Sequence, residues 1–121
     1  MTVEVLRADF SVCKVTDFSQ IDFNAPYCFL EKTDAESSLV CETDRVPSNT
    51  VAREDGWRAM RIAGTLDFSL VGILAKIAAL LADAGVSIFA VSTYDTDYIL
   101  VKDLSRAIHS LGSAGYTIRY L

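Results

Sequence analysis

Ser69-Leu-Val-Gly-Ile-Leu-Ala-Lys-Ile-Ala-Ala-Leu-Leu-Ala-Asp-Ala-Gly85 runs straight on into Val86-Ser-Ile-Phe-Ala-Val-Ser-Thr-Tyr-Asp-Thr-Asp-Tyr-Ile-Leu-Val101, and the hydrophobic period changes at the join. In the first piece Leu70, Ile73, Leu74, Ile77, Leu80, Leu81 and Ala84 recur at helical spacing and make one apolar stripe, which predicts an amphipathic helix over 69–84. Asp67 or Ser69 can cap its start, and Gly85 can end it in a left-handed conformation. In the second piece Val86 to Thr93 is apolar on both faces, which predicts a central strand. Tyr94-Asp-Thr-Asp97 is polar and turn-prone, and Tyr98 to Lys102 is apolar again, so the two strands should form a hairpin.

The pattern extends outward in both directions. Asp103 opens a second amphipathic helix in which Leu104, Ala107, Ile108 and Leu111 share a face, closed by Gly112 and Gly115. Tyr116 to Leu121 alternates as a half-buried final strand would. Upstream, Trp57 to Thr65 alternates well enough for a strand, with Trp57, Met60 and Ile62 as its apolar members. The order from Trp57 is therefore strand, helix, strand, strand, helix, strand, the βαββαβ pattern of the ferredoxin-like superfold, in the α+β class.

The first part of the chain is less regular. Val3 to Thr16 suits one long or bent strand, Asn24-Ala-Pro26 is a break, and Tyr27 to Glu31 reads as a second strand. Thr33-Asp-Ala-Glu36 has the spacing of a capping box, which predicts a short helical turn. Ser38 to Glu42 reads as a further strand, and Pro47-Ser-Asn49 as a junction. This divides the chain into residues 1–55 and 56–121, with no low-complexity linker between them.

With 121 residues, 51% of them hydrophobic and 22% charged, the chain can bury a core and is not expected to be disordered. No apolar run reaches the roughly 18 residues that cross a bilayer. Leu70 to Val91 comes nearest and is interrupted by Lys76, Asp83 and Gly85. The N-terminus lacks a basic region followed by an apolar core, so no signal peptide and a cytoplasmic location are expected. The net charge of −5, with Lys and Arg scattered singly, argues against nucleic acid. Cys13, Cys28 and Cys41 have neither Cys-x-x-Cys spacing nor a nearby His, so buried thiols are expected rather than a metal site. The single His109 has no nucleophile beside it in sequence, which leaves a nucleophile–base pair unsupported.

Leu66 to Ala75, continuing through Ala84 to Val101, resembles the ACT domain, and specifically the branch of tandem ACT proteins related to the CASTOR arginine sensors. Ser92-Thr-Tyr-x-x-Asp97 is the most diagnostic piece. Trp57, and Phe29 through Cys41, are similar to small bacterial members of that branch, whose first ACT-like half is degenerate. The resemblance implies a ferredoxin-like ACT fold of two ACT-like halves packed together, residues 1–55 being the degenerate one and 56–121 the ACT domain. It also implies side-by-side pairing, hence a homodimer, and small ligands, often amino acids, bound near unit interfaces. Many ACT proteins carry Asp-x-Pro-Gly where the first strand meets the first helix. Here Ser69, Leu70, Val71 and Gly72 stand there, so the glycine is kept and the acid and proline are not.

The candidate ligand-binding residues follow from these pieces. Asp67, Ser69, Leu70, Val71 and Gly72 surround the helix start, where unpaired amides and partial positive charge suit a carboxylate. Gly72 would let a ligand approach the first turn, or would merely permit tight packing. Ser92, Thr93, Tyr94 and Asp97 come from the hairpin. In the arginine sensors the acid matching Asp97 helps hold the ligand's positive group. An Asp in a turn can equally bond its own backbone and do nothing more, and Asp95 carries the same two readings. The expectation is a non-catalytic regulatory protein that binds an amino acid, with no cofactor, metal, nucleic-acid or membrane partner. The alternative is a structural or protein-interaction module with no ligand. A small acyl-phosphate hydrolase on the same superfold would need an Arg and an Asn organised in one loop, which the sequence lacks, and fold alone does not license that activity.

Overall fold

A computed structural model of the chain describes residues 1–66 and 72–121. Its elements run β1 (Thr2–Val15), β2 (Cys28–Lys32), β3 (Ser37–Glu42), a 3₁₀ turn (Thr43–Arg45), β4 (Thr50–Ile62), α1 (Ile73–Asp83), β5 (Ile88–Ser92), β6 (Asp97–Val101), α2 (Leu104–Ser113) and β7 (Thr117–Tyr120). From β4 onward this is the predicted βαββαβ order. The chain forms two compact units, one of Met1–Arg7 with Arg58–Leu121 and one of Ala8–Trp57.

In the larger unit the strands lie in the order β7-β1-β4-β6-β5. The N-terminal strand is thus interposed between β7 and β4, pairing in parallel with β7 from Thr2↔Thr117 to Val5↔Tyr120. β6 pairs antiparallel with β4 on one side, Arg61↔Tyr98 being the end of that ladder, and with β5 on the other. β5 therefore lies at the sheet edge and is not the central strand its composition predicts. Only its Val91 is buried, whereas Ile99, Leu100 and Val101 of β6 are fully buried. The two runs read alike in sequence, and the position of β4 decides which of them is covered.

The core of this unit joins Val3 and Val5 of β1, Met60 and Ile62 of β4 and Ile99 and Val101 of β6 to Ile77 and Leu81 of α1 and Ala107 and Leu111 of α2. These are the inward positions of the two helical stripes. Burying each larger side chain contributes about 1.5–3 kcal/mol. Asp103 caps α2, its side chain accepting from the Arg106 amide at 3.1 Å. α1 ends in a Schellman motif: the Val86 amide donates to the Leu81 carbonyl at 2.9 Å and the Gly85 amide to the Ala82 carbonyl at 3.0 Å. That geometry needs the positive φ of +74° found at Gly85. α2 ends the same way, with Tyr116 donating to Leu111.

In the smaller unit β3 pairs antiparallel with both β2 and the second half of β1. No α-helix occurs within 8–57. The Thr33 hydroxyl does accept from the Ala35 and Glu36 amides, both at 3.1 Å, as a capping residue would. The Thr33 amide, however, donates to the Glu36 carbonyl at 2.9 Å, which closes a hairpin between β2 and β3 instead of opening a helical turn. With only four residues between two strands, pairing of the flanks wins over helix nucleation. Cys13 and Cys41 are buried, Cys28 is half-buried, and all three are free thiols in one apolar cluster with Val15 and Leu39.

Candidate ligand-binding cleft

Two segments of the larger unit make the walls of an open cleft of about 280 Å³. The first wall is the start of α1. Gly72 sits immediately before the helix with φ +80°, so it precedes the first turn and is not part of it. A left-handed residue at this point interrupts helical geometry, and the first intrahelical bond runs from the Lys76 amide to the Gly72 carbonyl at 2.9 Å. The amides of Ile73, Leu74 and Ala75 thus lie ahead of the helical ladder, at the electropositive end of the helix. All four residues, Gly72 to Ala75, line the cleft.

The second wall is the bend between β5 and β6, Ser92 to Asp97, all six residues of which line the cleft, with Leu66 joining the two walls. Ser92 and Asp97 are the last paired residues of the hairpin, and the Ser92 hydroxyl donates to Asp97 Oδ1 at 2.5 Å. Inside them the Thr93 amide donates to the Thr96 carbonyl at 2.8 Å, and the Thr93 hydroxyl does so at 3.0 Å. This leaves Tyr94 and Asp95 at the tip, with Tyr94 79% exposed. The bend is tied to the end of β4 as well. The Thr96 hydroxyl donates to the Ile62 carbonyl at 2.7 Å, and the Leu66 amide donates to the Asp95 carbonyl at 2.6 Å.

Of the residues chosen from the sequence, Gly72, Ser92, Thr93, Tyr94 and Asp97 are therefore brought to one cleft. Asp67, Ser69, Leu70 and Val71 lie outside the described residues, and the helix begins at Ile73 with Gly72 as its N-cap rather than at 69 with Asp67 or Ser69 capping it. Leu66, Thr96, Ile73, Leu74 and Ala75 also line the cleft and were not singled out. The Thr-x-x-Thr spacing around Tyr94-Asp95 was the available signal for Thr96. The cleft sets a positive helix end, apolar side chains of Ile73 and Leu74, and two carboxylates, Asp95 and Asp97, around one space. That arrangement is chemically suited to a small zwitterion.

A polar cluster in the same unit stands on the three neighbouring strands β7, β1 and β4. Glu4 is only 7% exposed and receives Arg119 at one carboxylate oxygen and Arg61 Nε at the other, the latter at 2.9 Å. Arg61 also donates to the Tyr98 hydroxyl at 3.3 Å and lies 6.0 Å from the centre of its ring. The hydrogen bonds from Arg119 and then Arg61 hold the Glu4 carboxyl below its ordinary value, against the opposing effect of burial. A second cleft next to this cluster shares Thr93, Asp95 and Thr96 with the first, so the bend is a wall common to both. His109 is exposed on α2 and lines neither cleft. Among the described residues no group of three His, Cys, Asp or Glu side chains is placed to hold a metal ion, and no helix is long and apolar enough to cross a membrane.

The family model of the ACT domain matches residues 52–113, just over half of the chain. No curated protein matches it. Among solved structures, protein Atu0741 from Agobacterium tumefaciens superposes with a TM-score of 0.84 at 27% identity, over 99% of this chain and 92% of its own. Protein VC0802 from Vibrio cholerae, described as of unknown function and a possible transport protein, gives 0.68 at 20% identity, over 91% of this chain and 86% of its own. The allosteric aspartate kinase of Clostridium acetobutylicum gives 0.65 at 15% identity, over 89% of this chain but only 33% of the kinase. The last two are likenesses of fold.

Proposed function

The chain belongs to the ACT domain family, and from that premise we propose that it is a non-catalytic regulatory protein that takes up an amino acid in the cleft between α1 and the β5–β6 bend. The observation that carries this reading is the meeting of the Gly72–Ala75 helix opening with Ser92–Asp97 around one space. The ligand carboxylate lies against the amides of Ile73 to Ala75, and its ammonium, or a cationic side chain, lies toward Asp97 and Asp95. The likeness of the Ser92–Asp97 piece to the CASTOR arginine sensors supports a cationic amino acid, and with it the tandem-ACT branch. A homodimer, expected from ACT domains generally, is part of the same reading. An amino acid has about ten heavy atoms, so at about 0.6 kcal/mol per atom an affinity in the tens of micromolar is attainable.

Isothermal titration of the whole chain against each of the twenty amino acids tests the reading. Heat of binding for one or a few of them supports it, and silence across the panel removes it. The Ser92–Asp97 hydrogen bond favours one competing reading, in which Asp97 serves only to close its hairpin and the chain is an interaction module without a ligand. Capture of a partner in the absence of any amino acid, with no amino acid raising the melting temperature, would select that alternative.

A further inference from the structure

We infer that Thr96 is the positioning residue of the cleft: its hydroxyl extends the β4–β6 ladder past its last main-chain rung and thereby holds the bend, one wall of the cleft, against the end of β4. The main-chain pairing of these strands ends at Arg61↔Tyr98. One residue further along β4, the Ile62 carbonyl is met by the Thr96 side chain at 2.7 Å rather than by a backbone amide. Thr96 is 8% exposed, so water competes poorly for that carbonyl. The same residue organises the bend, its carbonyl accepting from the Thr93 amide and hydroxyl and its amide donating to the Thr93 hydroxyl at 3.3 Å. The next tie is Leu66 to the Asp95 carbonyl at 2.6 Å, where the chain leaves β4 toward α1.

These bonds form a short chain from Ile62 through Thr96 and Asp95 to Leu66. Its two ends lie at the close of β4 and just past it while its middle belongs to the bend, so the position of Asp95 and Asp97 relative to β4 and Leu66 depends on it. The Thr96 hydroxyl is committed to Ile62 and does not itself contact a ligand. A side chain of the same shape without the hydroxyl keeps the packing, leaves the Ile62 carbonyl buried without its partner, and lets the bend drift from β4. Serine restores the donor. This inference rests on the proposed amino-acid site for its functional consequence, while its structural content stands apart from it.

The test compares Thr96→Val and Thr96→Ser with the unaltered chain by amide hydrogen exchange, thermal melting and titration with the twenty amino acids. In Thr96→Val the Leu66 and Thr93 amides should exchange about tenfold faster or more, with core amides of β6 unchanged. Affinity for whichever amino acid the unaltered chain binds should fall about tenfold or more while the melting temperature moves by only a few degrees. Thr96→Ser should return both the protection and the affinity. Unaltered protection of Leu66 in Thr96→Val would overturn the inference, and so would failure of that variant to fold or failure of serine to rescue. Should the unaltered chain bind none of the twenty, the ligand reading falls, and the exchange comparison still decides whether Thr96 ties the bend to β4.

Discussion

The Ser92 hydroxyl and the Asp97 carboxylate meet at 2.5 Å across the last rung of the β5–β6 hairpin, so the acid that faces the cleft is held in place by its own hairpin. A carboxylate can accept several hydrogen bonds, and one from Ser92 leaves capacity for a ligand cation. The bond orients the carboxylate rather than using it up.

Replacing Asp97 by Ala should therefore separate the ligand reading from the purely structural one. Binding of a cationic amino acid should weaken by about 1.5–3 kcal/mol, the range for a hydrogen bond to a charged group, measured by titration calorimetry. Stability should change by less than about 1 kcal/mol, because Ser92 is exposed and can turn to water. Unchanged affinity would count against any role for Asp97 beyond the turn.

Glu4 gives the molecule an acid-sensitive element. Its folded-state pKa lies below the ordinary 4.5, so the stabilisation from Arg119 and Arg61 is complete above about pH 4.5 and is lost as pH falls through the folded value. Glu4→Gln should cost about 2 kcal/mol at neutral pH by removing the negative charge and turning one of the two acceptor oxygens into an amide donor that faces a guanidinium, less than for a fully buried pair because Arg119 is largely exposed. Urea unfolding between pH 2 and 7 should also show a shallower loss of stability on the acid side in this variant.

The three thiols should differ in reactivity. Cys41 is pushed far above the ordinary thiol range by its hydrogen bond with the Cys13 thiol and by burial, and Cys28 is raised by burial and by Asp22. With Cys13 and Cys41 each 3% exposed, an aromatic disulfide reagent at neutral pH should modify Cys28 slowly and the other two only after unfolding. Rapid modification of all three in the folded chain would contradict the buried cluster.

Leu81→Ala should destabilise the larger unit by about 2–5 kcal/mol, since Leu81 is fully buried among Ile77, Ile99 and Leu111 and its truncation leaves a cavity. Gly85→Ala should cost about 1–2 kcal/mol through the positive φ alone, because the added methyl would meet nothing closer than Arg106 at 3.6 Å. Chemical denaturation measures both.

Much of this molecule was legible in the order of its residues because local rules sufficed. The apolar stripes of α1 and α2, the cap at Asp103, the stop at Gly85 and the polar bend at Tyr94–Asp97 depend on neighbours within one or two turns of chain, and each was readable at that range. The convergence of Gly72 with the bend followed from the βαββ order, in which β6 runs back from the bend to lie beside β4, the strand that leads into α1. What local pattern could not supply was partnership over distance. Val86–Thr93 and Tyr98–Lys102 are equally apolar, and only the seating of β6 against β4 makes the second central and the first an edge. Thr33-Asp-Ala-Glu36 carries a helix signature that strand pairing on both sides turned into a hairpin. Nothing near Glu4 in sequence announces Arg61 or Arg119, which reach it because β1 is inserted between β7 and β4. Thr96, likewise, is an ordinary turn residue until the end of β4 presents the Ile62 carbonyl to its hydroxyl. Local sequence determined which segments would be helix, strand or bend, since those choices are made by backbone sterics and hydrophobic period. Tertiary structure alone decided which charges and hydroxyls found partners, because a hydrogen bond or ion pair forms only where the packed sheet brings its two ends within about 3 Å.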